Sequence, residues 1–93
     1  MTALIIDDQE FVVNIVCKMM EQIGFGQIKT AADGQAGLQA MTGVQPDVVL
    51  CDIEMRPMDG LTFLKELRDS ADRTIRDTPV IFLTSHGRHE LVA

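Results

Sequence analysis

The chain has 93 residues, of which 46% are hydrophobic and 24% charged, so it can form one small globular domain and no more. No apolar run reaches the roughly 18 residues of a membrane helix, and the short apolar start, Ala3–Ile6, has no basic region before it as a signal peptide would, so we expect a cytoplasmic protein. The net charge of −6 argues against direct binding to nucleic acid, whose phosphates require cationic side chains.

Strand and helix patterns alternate from the N-terminus onward. Ala3–Ile6 predicts a strand, and Gln9–Ile23 has the 3.6-residue apolar period of a helix, which Gly24 can end. The predicted buried face of this helix consists of Phe11, Val12, Ile15, Val16, Met19, Met20 and Ile23. Gln27–Ala31 predicts a second, weaker strand. Two cysteines, Cys17 and Cys51, lie in apolar surroundings without metal-site spacing and are expected to be reduced thiols.

The middle of the chain continues the alternation. Asp33 can cap a second helix, which carries Ala36, Leu38 and Met41 and is expected to close at Gly43. Val48–Cys51 predicts a third strand that is apolar on both faces. Asp59 and Gly60 are expected to open a third helix whose inward residues are Leu61, Leu64 and Leu67.

The last third contains one more strand. Residues 68–77 mix both signs of charge and are expected to form a solvated loop. Pro79–Leu83 predicts a fourth strand, again apolar on both faces, and a further helix is expected to start near Gly87. Strands that alternate with helices imply right-handed βαβ units and a parallel sheet, and strands apolar on both faces imply helices on both sides of it.

Acidic and hydroxyl side chains follow three of the predicted strands. Asp7 and Asp8 come after the first strand, Asp52 after the third, and Thr84 and Ser85 after the fourth. Ligands of such sheets bind beyond the carboxyl ends of the strands, so these side chains are the candidate site. Each aspartate alone more simply caps a helix or begins a turn. Three carboxylates together repel one another, and their oxygen atoms suit a hard cation such as Mg²⁺.

Five segments resemble the response-regulator receiver family in their order and spacing along the whole chain. They are Leu4-Ile5-Ile6-Asp7-Asp8, Ala32-Asp33-Gly34, the run from Pro46 to Asp52, Met58-Asp59-Gly60, and the run from Pro79 to Ser85. The resemblance implies an α/β, flavodoxin-like, doubly wound parallel sheet with strand order 2-1-3-4. Residues 1–93 are then one receiver domain that is incomplete at its C-terminus, without the family's fifth strand and fifth helix.

The resemblance also implies a phosphorylatable signalling switch of a two-component phosphorelay. Asp52 would accept a phosphoryl group from a histidine kinase or phosphotransfer protein, in a Mg²⁺-dependent reaction, and the signal would pass to a downstream effector protein. Such a domain promotes its own phosphorylation and dephosphorylation and is not a conventional enzyme. Thr84 would contact the phosphoryl group, and Ser85 would line the entrance to the site. The implied metal ligands are Asp7 (mainly through water), Asp8, Asp52 and the backbone carbonyl of Glu54.

Two departures from the family pattern bear on function. The family usually has proline four residues after the acceptor, where this chain has Arg56 followed by Pro57. The family's phosphate-binding lysine and aromatic switch residue have no counterpart in the sequence. Without a fifth strand, Pro79–Leu83 would be an apolar sheet edge that can pair with a second copy of the chain.

Two other functions stay open at this point. A receiver-like interaction module that is not phosphorylated in this truncated form would explain the two departures. A hydrolase of the haloacid-dehalogenase type would also use an aspartyl phosphate, but that family has a second aspartate where this chain has Glu54.

Overall fold

The computed structural model describes residues 1–56 and 58–83, so Thr84, Ser85 and the helix expected near Gly87 lie outside the described residues. The described chain forms β1 (Thr2–Ile6), α1 (Glu10–Ile23), β2 (Gln27–Ala31), α2 (Gly34–Val44), β3 (Val48–Asp52), α3 (Gly60–Arg68), α4 (Arg73–Arg76) and β4 (Val80–Leu83). The strands form one parallel sheet in the order β2-β1-β3-β4. The predicted fold class and strand order are therefore confirmed.

The register of the sheet brings the carboxyl ends of the central strands level with one another. Ile6 pairs with Cys51 between β1 and β3, and Cys51 pairs with Phe82 between β3 and β4. The residues that follow these pairs, Asp7 and Asp52, must therefore emerge side by side at one edge of the sheet.

The first of two apolar layers lies between the sheet and helices α2 and α3. It includes Ile6, Val49, Cys51, Phe63 and Phe82, each between 0% and 2% exposed. Because successive strand residues point to opposite faces, the alternate residues of β1 and β3 form the second layer. Burial of every residue but the first in each of β1 and β3 explains why their sequences are apolar on both faces.

The second layer is thinner and lies beneath α1. Ala3, Ile5 and Leu50 from the sheet pack there against Val16 and Met20 from the helix. Helix α1 has nearly the predicted bounds, and Gly24 ends it in the left-handed region at φ 119°. The contacts of α1 with the described elements are mainly to β1 and β2.

The predicted buried face of α1 is too wide. Phe11, Ile15, Met19 and Ile23 are 76%, 45%, 55% and 69% exposed. These four residues follow one another at four-residue intervals and so form one flank of the helix. No described element packs over this flank, so only the stripe that faces the sheet is buried.

The end of α2 and the interior of α3 also differ from the prediction. Helix α2 continues through Gly43 to Val44, and Gln45 ends it in the left-handed region at φ 51°. On α3 the buried residues include Phe63 and Leu67, whereas Leu61 is 58% exposed. Leu61 and Phe63 lie about 200° apart around the helix, so they cannot both face the sheet.

Residues 68–77 do not form only a solvated loop. They contain the short helix α4, whose cap residue Asp72 accepts a hydrogen bond from the Thr74 N–H at 2.9 Å. Ile75 anchors this helix in the first apolar layer. Among the described residues, no helix combines the length and apolar character needed to cross a membrane.

Candidate functional site

The three predicted aspartates meet at the carboxyl edge of the sheet. Asp52 is the last residue of β3, and Asp7 and Asp8 directly follow β1. One carboxylate oxygen from each of the three lies within 4.8 Å of the others. The prediction that folding gathers these side chains is confirmed, and its physical cause is the adjacency of β1 and β3 in the sheet.

Burial and mutual repulsion act on two of the three carboxyls. Asp52 is 3% exposed and Asp7 is 5% exposed, whereas Asp8 is exposed. Burial raises the pKa of Asp52 above its ordinary value, and the charge of Asp7 raises it further. Burial also raises the pKa of Asp7, and the neighbouring Asp8 adds to the rise. The protein has therefore concentrated negative charge where it is poorly solvated.

Backbone N–H groups partly offset this repulsion. The Gln9 N–H donates to Asp7 Oδ1 at 2.8 Å, and the Glu54 N–H donates to Asp52 Oδ1 at 3.3 Å. Both bonds lower the pKa of the carboxyl that accepts them, without cancelling the effect of burial. The N-cap residue of α1 is Gln9, and no side chain caps this helix, so Asp7 accepts the N–H of the residue that precedes the helix and does not cap its first turn.

The thiol next to the candidate acceptor is buried, and its environment favours the protonated form. Cys51 is fully buried, and burial, together with the charge of Asp52, raises its pKa to about 12. Its Sγ donates a hydrogen bond to the backbone oxygen of Asp52 at 3.3 Å. Both Cys51 and the half-buried Cys17 are free thiols, as predicted.

A groove of about 900 Å³ opens beside the acidic cluster. Its lining residues are Asp8, Ile53, Glu54, Met55, Arg56, Met58, Asp59 and Thr62. Glu54 and Arg56 both line this groove, and Arg56 is exposed to solvent. The contributions of Asp59 and Thr62 to the groove were not predicted, because Asp59 was interpreted only as the residue that opens α3.

The donor set of the cluster fits a hard divalent cation. Its three side chains offer only carboxylate oxygens, the ligands that Mg²⁺ prefers in proteins, and no nitrogen or sulfur. Two of them are buried, and burial together with the charge of the neighbouring aspartates raises their pKa values, so a bound cation would favour their charged forms. Within residues 1–56 and 58–83, no other group of three acidic, histidine or cysteine side chains is close enough to hold a metal ion.

A family model described as the response regulator receiver domain matches residues 3–93. The chain belongs to this family. The receiver is 35% identical over 89 residues to a probable chemotaxis protein CheY from Rhizobium etli, a match that covers 96% of this chain and 67% of that protein. The fold is also similar to the solved N-terminal domain of a response regulator receiver protein from Methanoculleus marisnigri. The TM-score of this comparison is 0.79 and the sequence identity 38%, over 89% of this chain and 65% of that chain.

The receiver also resembles part of a much larger enzyme. It is 31% identical over 85 residues to a protein-glutamate methylesterase/protein-glutamine glutaminase from Natronomonas pharaonis. That match covers 91% of this chain but only 22% of the methylesterase, so the receiver spans about a fifth of that protein's length.

Proposed function

We propose that residues 1–93 act as one receiver domain, a phosphorylatable switch of a two-component phosphorelay in which Asp52 is the phosphoacceptor. The observation that carries this proposal is the convergence of Asp52 with Asp7 and Asp8 within 4.8 Å, next to a groove open to solvent. Membership of the receiver family supports the same role. The phosphoryl donor is then a histidine kinase or phosphotransfer protein in the cytoplasm, and an effector protein reads the result.

In this proposal Asp8 and Asp52 hold Mg²⁺ directly, Asp7 holds it mainly through water, and the backbone carbonyl of Glu54 supplies a further ligand. The ion supplies positive charge to the phosphoryl oxygens, which is the main requirement of phosphoryl transfer. Two observations support a shared ion: Asp8 is exposed and lines the groove, and its carboxylate oxygen lies within 4.8 Å of those of the buried Asp7 and Asp52.

Asp52 itself is the nucleophile. One carboxylate oxygen forms a bond to phosphorus while the bond between phosphorus and the donor's imidazole nitrogen breaks. The Glu54 N–H donates to Oδ1 at 3.3 Å and so helps to orient the carboxylate. Because burial raises the pKa of Asp52, the cation also favours the ionised form that attack requires. Thr84 and Ser85 are proposed to contact the phosphoryl group and to line the entrance.

Mass spectrometry after incubation with MgCl₂ and acetyl phosphate tests this role. We expect one added phosphoryl group, mapped to Asp52, and none in the Asp52→Asn variant or in the presence of EDTA. Asp47→Asn is the matched control, because Asp47 is exposed at the opposite end of β3. An adduct that persists in Asp52→Asn, or no adduct in the parent, would contradict the proposal.

A non-phosphorylated interaction module is the second candidate. The exposed Arg56 on the groove favours it, because the family usually has proline there and a cation on this surface suits a protein contact. A partner whose binding is unchanged by Asp52→Asn and by EDTA would support this module. A partner that binds only the phosphorylated chain would exclude it.

Association between two copies is proposed for the outer edge of β4, the edge away from β3. This strand pairs with β3 on one side, and no other described strand pairs with its outer edge. Unpaired backbone groups on an apolar edge strand favour pairing with another chain. Light scattering should show a dimer at high concentration, and a monomer at every concentration would refute this proposal.

A further inference from the structure

Two glycine amides hold the loop that follows Asp52. The Gly60 N–H, at the start of α3, donates to the backbone oxygen of Ile53 at 2.8 Å. The Gly34 N–H, at the start of α2, donates to the backbone oxygen of Met58 at 3.2 Å. The described loop residues, 53–56 and 58–59, are thus tied at one end by the helix that follows them and at the other by a helix that comes before them in the chain.

Each of these glycines directly follows an aspartate that caps its helix. Asp33 accepts a hydrogen bond from the Ala36 N–H at 2.9 Å, and Asp59 accepts one from the Thr62 N–H at 2.8 Å. The caps fix the first turn of each helix and so fix the direction of the glycine N–H. The Asp33-Gly34 pair therefore presents a rigid donor to a loop about twenty residues further along the chain.

Gly34 leaves no room for a side chain at this contact. A Cβ added there would lie 2.9 Å from the backbone oxygen of Met58 and 2.9 Å from its Cγ. The Met58 side chain can turn away, but its backbone oxygen can move only if the loop moves. An alanine at position 34 must therefore displace the loop or break the hydrogen bond.

We propose that Gly34 is a positioning residue for the metal site. Its N–H holds Met58 in the loop that also carries Glu54, whose own N–H donates to Asp52 at 3.3 Å. This inference rests on the proposed function, since it assumes that the cluster and Glu54 bind Mg²⁺. Groups that orient metal ligands without touching the metal commonly change metal affinity by about 10–100-fold when replaced.

Helix α2 itself provides the controls, because three of its glycines face different surroundings. A Cβ at Gly37 would collide with Ile6 Cδ1 and lie 3.2 Å from Phe63 Cε1, both in the apolar core. A Cβ at Gly43 would meet nothing within 4 Å. The same glycine-to-alanine change therefore tests the loop contact at Gly34 and core packing at Gly37. At Gly43 it tests only the helix propensity of the residue.

An NMR titration of the ¹⁵N-labelled chain with MgCl₂ measures the effect, since the chain has no tryptophan or tyrosine to serve as a fluorescent probe. We expect Gly34→Ala to raise the Mg²⁺ midpoint roughly tenfold or more. Gly43→Ala should leave the midpoint unchanged and keep or raise the melting temperature, because alanine favours a helix over glycine. Gly37→Ala should lower the melting temperature without a comparable change in the midpoint.

The outcomes separate this inference from the proposed function. If the parent chain shows no Mg²⁺-dependent shifts, the proposed metal site is wrong. If the parent binds and folded Gly34→Ala binds within about twofold of it, the positioning role of Gly34 is wrong. If Gly34→Ala does not fold, hydrogen exchange of the Gly34 amide in the parent decides: Mg²⁺ should slow it, and an unchanged rate would overturn the inference.

Discussion

Replacement of Asp52 by asparagine should stabilise the metal-free receiver. The substitution removes one of three negative charges whose oxygen atoms lie within 4.8 Å of one another. It keeps the shape of the side chain and an Oδ1 that can accept the Glu54 N–H. A buried carboxylate is thus exchanged for a neutral group with the same hydrogen bond, so repulsion and desolvation are relieved at little packing cost.

The size of the gain follows from the geometry. Two unit charges 4.8 Å apart repel by about 3.5 kcal/mol at an effective dielectric constant of 20. Solvent screens the exposed Asp8, and the raised pKa values of Asp7 and Asp52 mean that both need not be fully charged. We therefore expect a gain of about 1–2 kcal/mol in the free energy of unfolding, or about 4–15 °C in melting temperature for a domain of this size.

Thermal unfolding followed by circular dichroism, in EDTA and in MgCl₂, provides the assay. Mg²⁺ should raise the melting temperature of the parent and do so much less for Asp52→Asn. Asp47→Asn is the matched control, because it removes the same charge from an exposed carboxylate that accepts the Thr2 N–H at 2.7 Å. Equal melting temperatures for the parent and Asp52→Asn in EDTA, or equal responses to Mg²⁺, would refute the argument.

Four further results follow from burial and charge. Because burial raises the pKa of Asp7 and Asp52, their contribution to metal-free stability is complete below the ordinary carboxyl value and is lost as the pH rises through the raised values. Urea titrations should therefore show the advantage of Asp52→Asn growing between about pH 4 and pH 7, and an advantage that shrinks would contradict this. Phe63→Ala should lower the free energy of unfolding by about 3–5 kcal/mol, since Phe63 is 0% exposed. Phe11→Ala should change it by less than about 0.5 kcal/mol, since Phe11 is 76% exposed, and similar costs for the two would show that the flank of α1 is covered. Cys51 should react with a thiol reagent only on unfolding, and rapid labelling of the native chain would contradict its burial.

The strands and their parallel arrangement could be predicted because the sequence carries two independent signals, whereas the strand order was implied by the resemblance to the receiver family. Val49 and Leu50 are neighbours, yet both are buried, one in each apolar layer. Such a run occurs in a central strand with helices on both sides, and alternation with helices then restricts the topology. The convergence of Asp7 with Asp52 needs only this topology, since both residues stand at the carboxyl ends of neighbouring strands.

The width of a buried helix face could not be predicted from periodicity. Phe11 and Ile15 fit the apolar period of α1 as well as Val16 does, but burial depends on which elements pack over the helix. On α3, periodicity predicted Leu61 as a buried residue, whereas Phe63 is buried instead. The contacts of the helix set its orientation, and periodicity does not show them. One of these contacts is the close approach of α2 at Gly37, where an added Cβ would lie 3.2 Å from Phe63 Cε1.

The hydrogen bond that holds the loop beside the candidate site could not be predicted from the sequence either. Asp33 was correctly predicted to cap a helix, but nothing local indicates that the Gly34 N–H reaches Met58. That contact joins residues distant in the chain and depends on how α2 packs beside α3. Thr84 and Ser85 stay predictions, because they lie outside the described residues.

Paramagnetic broadening by Mn²⁺, which like Mg²⁺ prefers oxygen ligands, tests the central claim most directly. In the ¹⁵N-labelled chain, the first amide signals to disappear should be those of Asp7, Asp8 and Glu54, and excess Mg²⁺ should restore them. The Asp47 amide, at the far end of β3, should stay sharp. Broadening that begins elsewhere, or that is the same in Asp52→Asn as in the parent, would contradict a metal site built by these carboxylates.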